Sequence, residues 1–190
     1  GILFALSSNV SNFKIMKYLL ILILIANHSF TYAQDSLPTL KKILLEQLRT
    51  THNEQDWFVP ASLSVAGLTA VQANWKDKSG NHSIAELTTH LIFWNERSLK
   101  KFKNETQKKF NGDNKETFTK VDQTSWPLMI KKLDDILKEL EQLVSATDEV
   151  KLKDWYSTIA HIGTHNAYHT GQIIYIRKMK GWWDDNKGVK

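Results

Sequence analysis

Ile159 to Arg177 reads IAHIGTHNAYHTGQIIYIR. The stretch carries three histidines at intervals of four, His161, His165 and His169. On a helix, residues four apart lie one turn apart on one face, with a rise of about 5.4 Å per turn. Two such imidazoles can close on one metal ion. The isoleucines around them make the segment apolar enough for a buried helix, so the imidazoles are expected to face other helices. The rest of the chain then reads as a scaffold that brings a further ligand to the pair.

Each neighbouring segment has helical periodicity. Ser36 to about Thr51 is the first expected helix, capped by Ser36 and with Pro38 in its first turn; Leu37, Leu40, Leu44, Leu48 and Thr51 form its stripe. Pro60, Gly67, Gly80 and Asn81 punctuate residues 52–81, where the expectation is a bent continuation of that helix, a short helical turn near Thr69–Trp75 and a loop. Ser83 with Glu86 is a capping box opening a second helix to about Lys103, with Ile84, Leu87, Leu91, Trp94, Ser98 and Phe102 as its buried stripe. Residues 104–123 are a polar linker, long for a compact domain and therefore a hint of function or mobility, with Phe102, Phe110 and Phe118 placed to pin it. A third helix spans Ser125 to about Ala146, capped by Thr124 or Ser125, with a seam at Trp126, Ile130, Leu133, Leu137, Leu140 and Val144. A fourth runs from Asp154 to about Lys180 and stops at Gly181. Four amphipathic helices without alternating strands give an all-α four-helix bundle.

The same spacing narrows the ligands. His161 and His169 are separated by about 12 Å along the axis, too far to share one ion. His169 lies on the apolar line of the fourth helix and His165 sits between Ile162 and His169, so His165/His169 is the preferred pair and His161 a neighbour. His90, on the core edge of the second helix, is the best-placed third ligand; His52 and His82 fall in loops or at helix ends. Three histidines with an open position suit Zn²⁺ first, with Ni²⁺ and Fe²⁺ as alternatives. A water or a substrate atom would take the open position. No general base is identifiable. Residue 166 is Asn where zinc proteases of the HExxH type carry Glu. Glu86, four residues before His90, is placed to orient it but reads first as a capping-box residue. Asn95, Asn166, Tyr168 and Gln172 are polar positions near the ligands, and Trp57, Phe58 and Trp94 read either as core or as the lining of a pocket.

Composition sets further bounds. The 190 residues contain no cysteine, which excludes disulfides, thiolate sites and a cysteine nucleophile. Met16-Lys17, the apolar run Tyr18–Ala26 and Thr31-Tyr32-Ala33 have the form of a secretory signal peptide, and nine apolar residues fall far short of the ~20 that span a bilayer. The expected organisation is 1–33 as upstream residues plus signal, with Met16 as the start, and 34–190 as a single exported domain, periplasmic or secreted, with no stable membrane span. Without 1–33 there remain 23 basic against 20 acidic side chains, a charge of +3. The lysines of 100–120 are interrupted by acids and read as a solvated loop, so no nucleic-acid partner is expected.

Three segments together resemble the DinB/YfiT-like metalloenzyme family: GLTAVQANWK at 67–76, NHSIAELTTHLIFWNERSL at 81–99 and STIAHIGTHNAYHTGQIIYIRK at 157–178. The resemblance covers nearly all of 34–190. It implies a four-helix bundle of up-down-down-up type. It also implies a divalent metal held by one histidine of the second helix and an HxxxH pair of the fourth, here His90, His165 and His169. Characterised relatives include thiol-dependent transferases and isomerases; with the open metal position, the expected activity is that of a metal-dependent hydrolase or thiol-type transferase on a small molecule of unknown identity. An export signal departs from the usual member, and low-molecular-weight thiols are not readily available outside the cytoplasm. The alternatives are a non-catalytic metal- or ligand-binding bundle of the cell envelope and a helical interaction module without metal. Homodimers suit such bundles.

Overall fold

The structure is a computed structural model and describes residues 39–188. The expected signal peptide and the start at Met16 lie outside the described residues. Among these there are six α-helices, two short 3₁₀ turns and no strand. The helices are α1 (Leu40–His52), α2 (Ala61–Val65), α3 (Ala70–Ala73), α4 (Ile84–Phe102), α5 (Ser125–Ala146) and α6 (Glu149–Met179). The all-α four-helix bundle is formed by α1, α4, α5 and α6. Among the described residues no helix is long and apolar enough to cross a membrane.

Helix boundaries follow local chemistry. Thr39 caps α1: its backbone is extended and its hydroxyl accepts from Lys42 N; the expected cap Ser36 lies outside the described residues. The first helix does not continue in bent form past His52. Residues 53–60 are irregular, and α2 starts afresh behind Pro60, whose extended backbone forms the N-cap. The expected turn near Thr69–Trp75 is α3, closed by a Thr69–Gln72 capping box. The Ser83–Glu86 box opens α4 as expected. At α5 neither Thr124 nor Ser125 caps by its side chain; the Asp122 carboxylate accepts from Ser125 N at 2.6 Å instead. The fourth bundle helix begins five residues earlier than expected. Asp148 caps it by accepting from Lys151 N, and Glu149 adds favourable charge to its first turn. It ends in a Schellman motif, with Gly181 at φ 67° and Trp182 N donating to Arg177 O at 2.8 Å.

Contacts across the bundle fix its directions. Lys132 pairs with Glu96 at 2.8 Å and Lys103 with Glu139 at 3.0 Å, so α4 and α5 run parallel. Asn95 meets Asn166, while Phe102 meets Trp155, so α4 and α6 run antiparallel. α1 packs against α5 and α6, with Gln47 facing Gly163. The resulting order is up-down-down-up. A parallel pair cannot be joined by a short turn, which accounts for the long linker of 104–123.

The core is built on Leu44, Leu48, Leu91, Leu133, Leu137, Leu140, Leu152 and Ile159. On α4 the buried line turns through Asn95 and Leu99 rather than through Trp94 and Ser98, which are half-buried. Trp57, 87% exposed, belongs neither to the core nor to the lining of the metal-site cavity.

Two polar clusters lock the ends. His52 is buried between the carboxylates of Glu141 and Asp134, so both ring nitrogens donate and the imidazole is a cation. Arg177 is buried and donates to the carbonyls of Ser64 (2.6 Å), Ala66 (3.0 Å) and Trp182 (3.1 Å), tying α2 to the end of α6. A lysine cannot span three carbonyls with one ammonium in that geometry. Arg177→Met leaves these acceptors unpaired and is expected to lower stability by about 3 kcal/mol, with Arg177→Lys in between, both read from urea denaturation midpoints.

Candidate metal centre

Helix α6 places His165 and His169 one turn apart, and α4 brings His90 to them from the facing side. Their ligand atoms lie within 4.8 Å of one another. His90 Nε2 is 3.2 Å from His165 Nε2, and His169 Nε2 is 3.1 Å from the same atom. Nitrogens bound tetrahedrally at ~2.05 Å would be about 3.3 Å apart. His90 and His169 are buried and His165 half-buried.

Hydrogen bonding determines which nitrogens converge. Thr117 Oγ1 donates its one proton to Asn114 O at 2.7 Å, so at 2.6 Å from His90 Nδ1 it accepts. His90 therefore carries its proton on Nδ1 and presents a lone pair at Nε2. Gln172 Oε1 accepts from His169 Nδ1 at 2.7 Å and fixes the same tautomer there. Two bare lone pairs thus meet at His165 Nε2, which can return at most one N–H. A cation satisfies all three nitrogens, and the donor set of three imidazoles suits a divalent transition ion.

The crossover linker holds His90 from behind. The Phe118 ring stacks on His90 (4.0 Å between centroids, 8°) and on its other face against His82 (3.7 Å, 4°). Thr117 closes the 3₁₀ turn Asn114–Thr117 that delivers both side chains. Phe118 was legible as a pin for the linker; Thr117 carried no sequence signal. Below the triad, Asn95 Nδ2 donates to Asn166 Oδ1 at 2.7 Å, a buried amide pair that sets the register of α4 against α6.

Other sequence candidates fall outside the cluster. His161 is exposed and donates from Nδ1 to its own helix at Ser157 O. Glu86 bonds Ser83 N, Lys76 and His82 and does not touch His90, so it is a capping residue. His52 lies in its carboxylate clamp. Beside the triad is a cavity of about 600 Å³, lined by His90 and His165 with Trp94, Asn114, His161 and Tyr168. Phe58 lines a different cavity, beside Trp183.

Burial, then the neighbouring His169, His165 and His82, push the His90 pKa down to about 3. Burial and then His169 push His165 down to about 4. Burial lowers His169 too, against the opposing Gln172 hydrogen bond. All three are neutral at neutral pH, the form that ligates. For His52, burial acts downward but the Glu141 and Asp134 bonds outweigh it and raise the pKa. The signs differ. As pH falls below 6.5, the unfolded chain protonates the triad histidines and the folded chain does not, so stability drops toward pH 4. The His52 contribution is complete below 6.5 and is lost as pH rises through its raised folded pKa. Metal-free stability is therefore expected to peak near pH 6.5. Denaturant titrations at pH 5, 6.5 and 8.5 should show His165→Gln flattening the acid limb and His52→Gln the alkaline limb.

No curated protein and no solved structure matches the chain. A family model described as the DinB superfamily matches residues 61–173, more than half of the sequence. The match runs from α2 through most of α6 and contains His90, His165 and His169. The chain belongs to the DinB superfamily.

Proposed function

We propose that His90, His165 and His169 hold a divalent metal ion, Zn²⁺ first, and that the protein is a metal-dependent hydrolase or transferase acting on a small molecule. The observation that carries this reading is the convergence of the three Nε2 atoms, two of them stripped of protons by Thr117 and Gln172. A bound ion at such a centre supplies Lewis-acid polarisation of a substrate oxygen or activation of a water. Structural zinc sites are closed by four protein ligands. Here the described residues offer three histidines, and His90 and His165 line a cavity large enough for a small molecule. That opening supports catalysis over a purely structural ion.

The chain's own residues divide the remaining work. Thr117 and Gln172 orient two of the ligands, Phe118 holds the His90 ring in plane, and Trp94 and Tyr168 wall the cavity. The N-terminal pattern at Met16–Ala33 supports export as the setting of this activity.

Elemental analysis of the chain purified without a histidine tag is expected to give about one metal ion per chain, lost in His90→Ala, His165→Ala and His169→Ala. A folded wild type that takes up no Zn²⁺, Ni²⁺ or Fe²⁺ would sink the reading. Thr117→Val should keep the helical signal and weaken metal affinity by about 10–100-fold, as removal of a partner behind a ligand does, in competition against a chromophoric chelator.

A further inference from the structure

A second cavity, of about 540 Å³, lies between the α3–α4 loop and the C-terminal half of α6. None of the three triad histidines lines it, and of its lining residues only Tyr168 is shared with the metal-site cavity. Its walls are Trp75, Leu87, Tyr168, Tyr175, Ile176 and Met179. Tyr168 (64%), Tyr175 (69%) and Met179 (49%) are exposed along one face of α6, an apolar surface that no other element covers among the described residues. Large aromatic and apolar side chains grouped at a concave opening of this size mark a small-molecule site rather than scattered surface residues.

Charge selects the occupant. Lys76 pairs with Glu86 at 2.9 Å, and Lys180 sits 4.5 Å above the Trp75 ring. Asp77 also lines the cavity, so the charges of Lys76, Glu86, Asp77 and Lys180 around it sum to zero, and enclosing an unpaired ionic group there would be unfavourable. The aromatic walls favour a planar, stackable ring. Asn81 and Gln172 add polar edges. Gly171 lies on the same face with ordinary helical backbone, and a Cβ there would meet nothing within 4 Å. A larger side chain at 171 therefore fits the helix and takes up space in the cavity.

We infer that this cavity binds an uncharged, planar aromatic small molecule. Gln172 is shared with the metal centre through its bond to His169, but none of the triad lines the cavity and its aromatic walls stand without an ion, so the inference does not rest on the metal reading.

The test titrates the full metal-free chain, with chelator present, using N-phenyl-1-naphthylamine, an uncharged aromatic probe whose emission rises in apolar surroundings. Saturable one-site binding is expected, with quenching of tryptophan emission. Gly171→Leu should weaken it about tenfold or more (1.4 kcal/mol per decade) without lowering the melting temperature, since replacing a helical glycine favours the helix by up to ~1 kcal/mol. Tyr175→Ala should weaken it as well, and the exposed position keeps the fold intact. Non-saturable binding, or unchanged affinity in both variants, overturns the site. Equal or tighter binding of 1-naphthalenesulfonate overturns the charge assignment. A dimer in sedimentation that Gly171→Leu dissociates, with the probe excluded, puts a second copy of the chain on this face and overturns the small-molecule site. A triad that takes no metal leaves the titration unaffected, so the two readings fail separately.

Discussion

The parallel run of α4 and α5 is the constraint on which the site depends. Both helices point the same way, as the Glu96–Lys132 and Lys103–Glu139 pairs show. The chain must therefore travel back along α4, a rise of about 28 Å for 19 residues. An extended linker of some twenty residues reaches about twice that distance. The slack is taken up by the Asn114–Thr117 turn and by packing of Phe110 and Phe118 on α4. A direct hairpin would leave His90 without Thr117 behind its Nδ1 and without Phe118 on its face. The crossover thus supplies both the connection and the support of one ligand.

The triad is arranged against the preference of free imidazoles. Three nitrogens within hydrogen-bonding distance share at most one proton, and burial opposes relief by protonation. The bundle can hold that arrangement because its cost is offset elsewhere: the Asn95–Asn166 pair is satisfied, the Arg177 guanidinium caps several carbonyls, and His52 is a fully paired cation. The Asn95–Asn166 pair joins α4 to α6, the two helices that carry the triad; Arg177 anchors the end of α6, and His52 ties α1 to α5. Polar interactions place the site, and the leucine core makes the placement rigid.

Local chemistry made much of this readable. The boundaries of α4 and α5 followed from the Ser83–Glu86 box and the apolar repeats, and the HxxxH pair with a core-edge histidine picked out the residues that meet. Errors arose where local signals competed. Glu149–Lys153 looks polar, yet Asp148 caps it and Leu152 is fully buried. Trp94 and Ser98 seemed to continue the α4 stripe, but the 3.6-residue turn carries the buried line to Asn95 and Leu99, and an asparagine does not read as core until its partner Asn166 is seen. The Thr39 cap went unread because Ser36, ahead of Pro38, offers the same capping chemistry in sequence. Thr117 was invisible because its role depends on a contact 27 residues away in sequence.

Asn166 also limits the chemistry open to the centre. It occupies the position that in HExxH zinc proteases holds a glutamate aimed at the reacting water. Here that side chain is fully buried and bonded to Asn95 on α4; Asn95 lines the metal-site cavity, whereas Asn166 itself does not. A glutamate at 166 would place a carboxylate in the α4–α6 interface, where it would lose the reciprocal amide pair. The helical repeat thus puts the intervening residue of this HxxxH pair into the register contact between two helices. With an asparagine at 166, which carries no ionisable group, the HExxH-type general base is absent from that position. Under the proposed catalytic reading, proton transfer would fall instead to a bound substrate, to solvent or to side chains on the cavity's own wall.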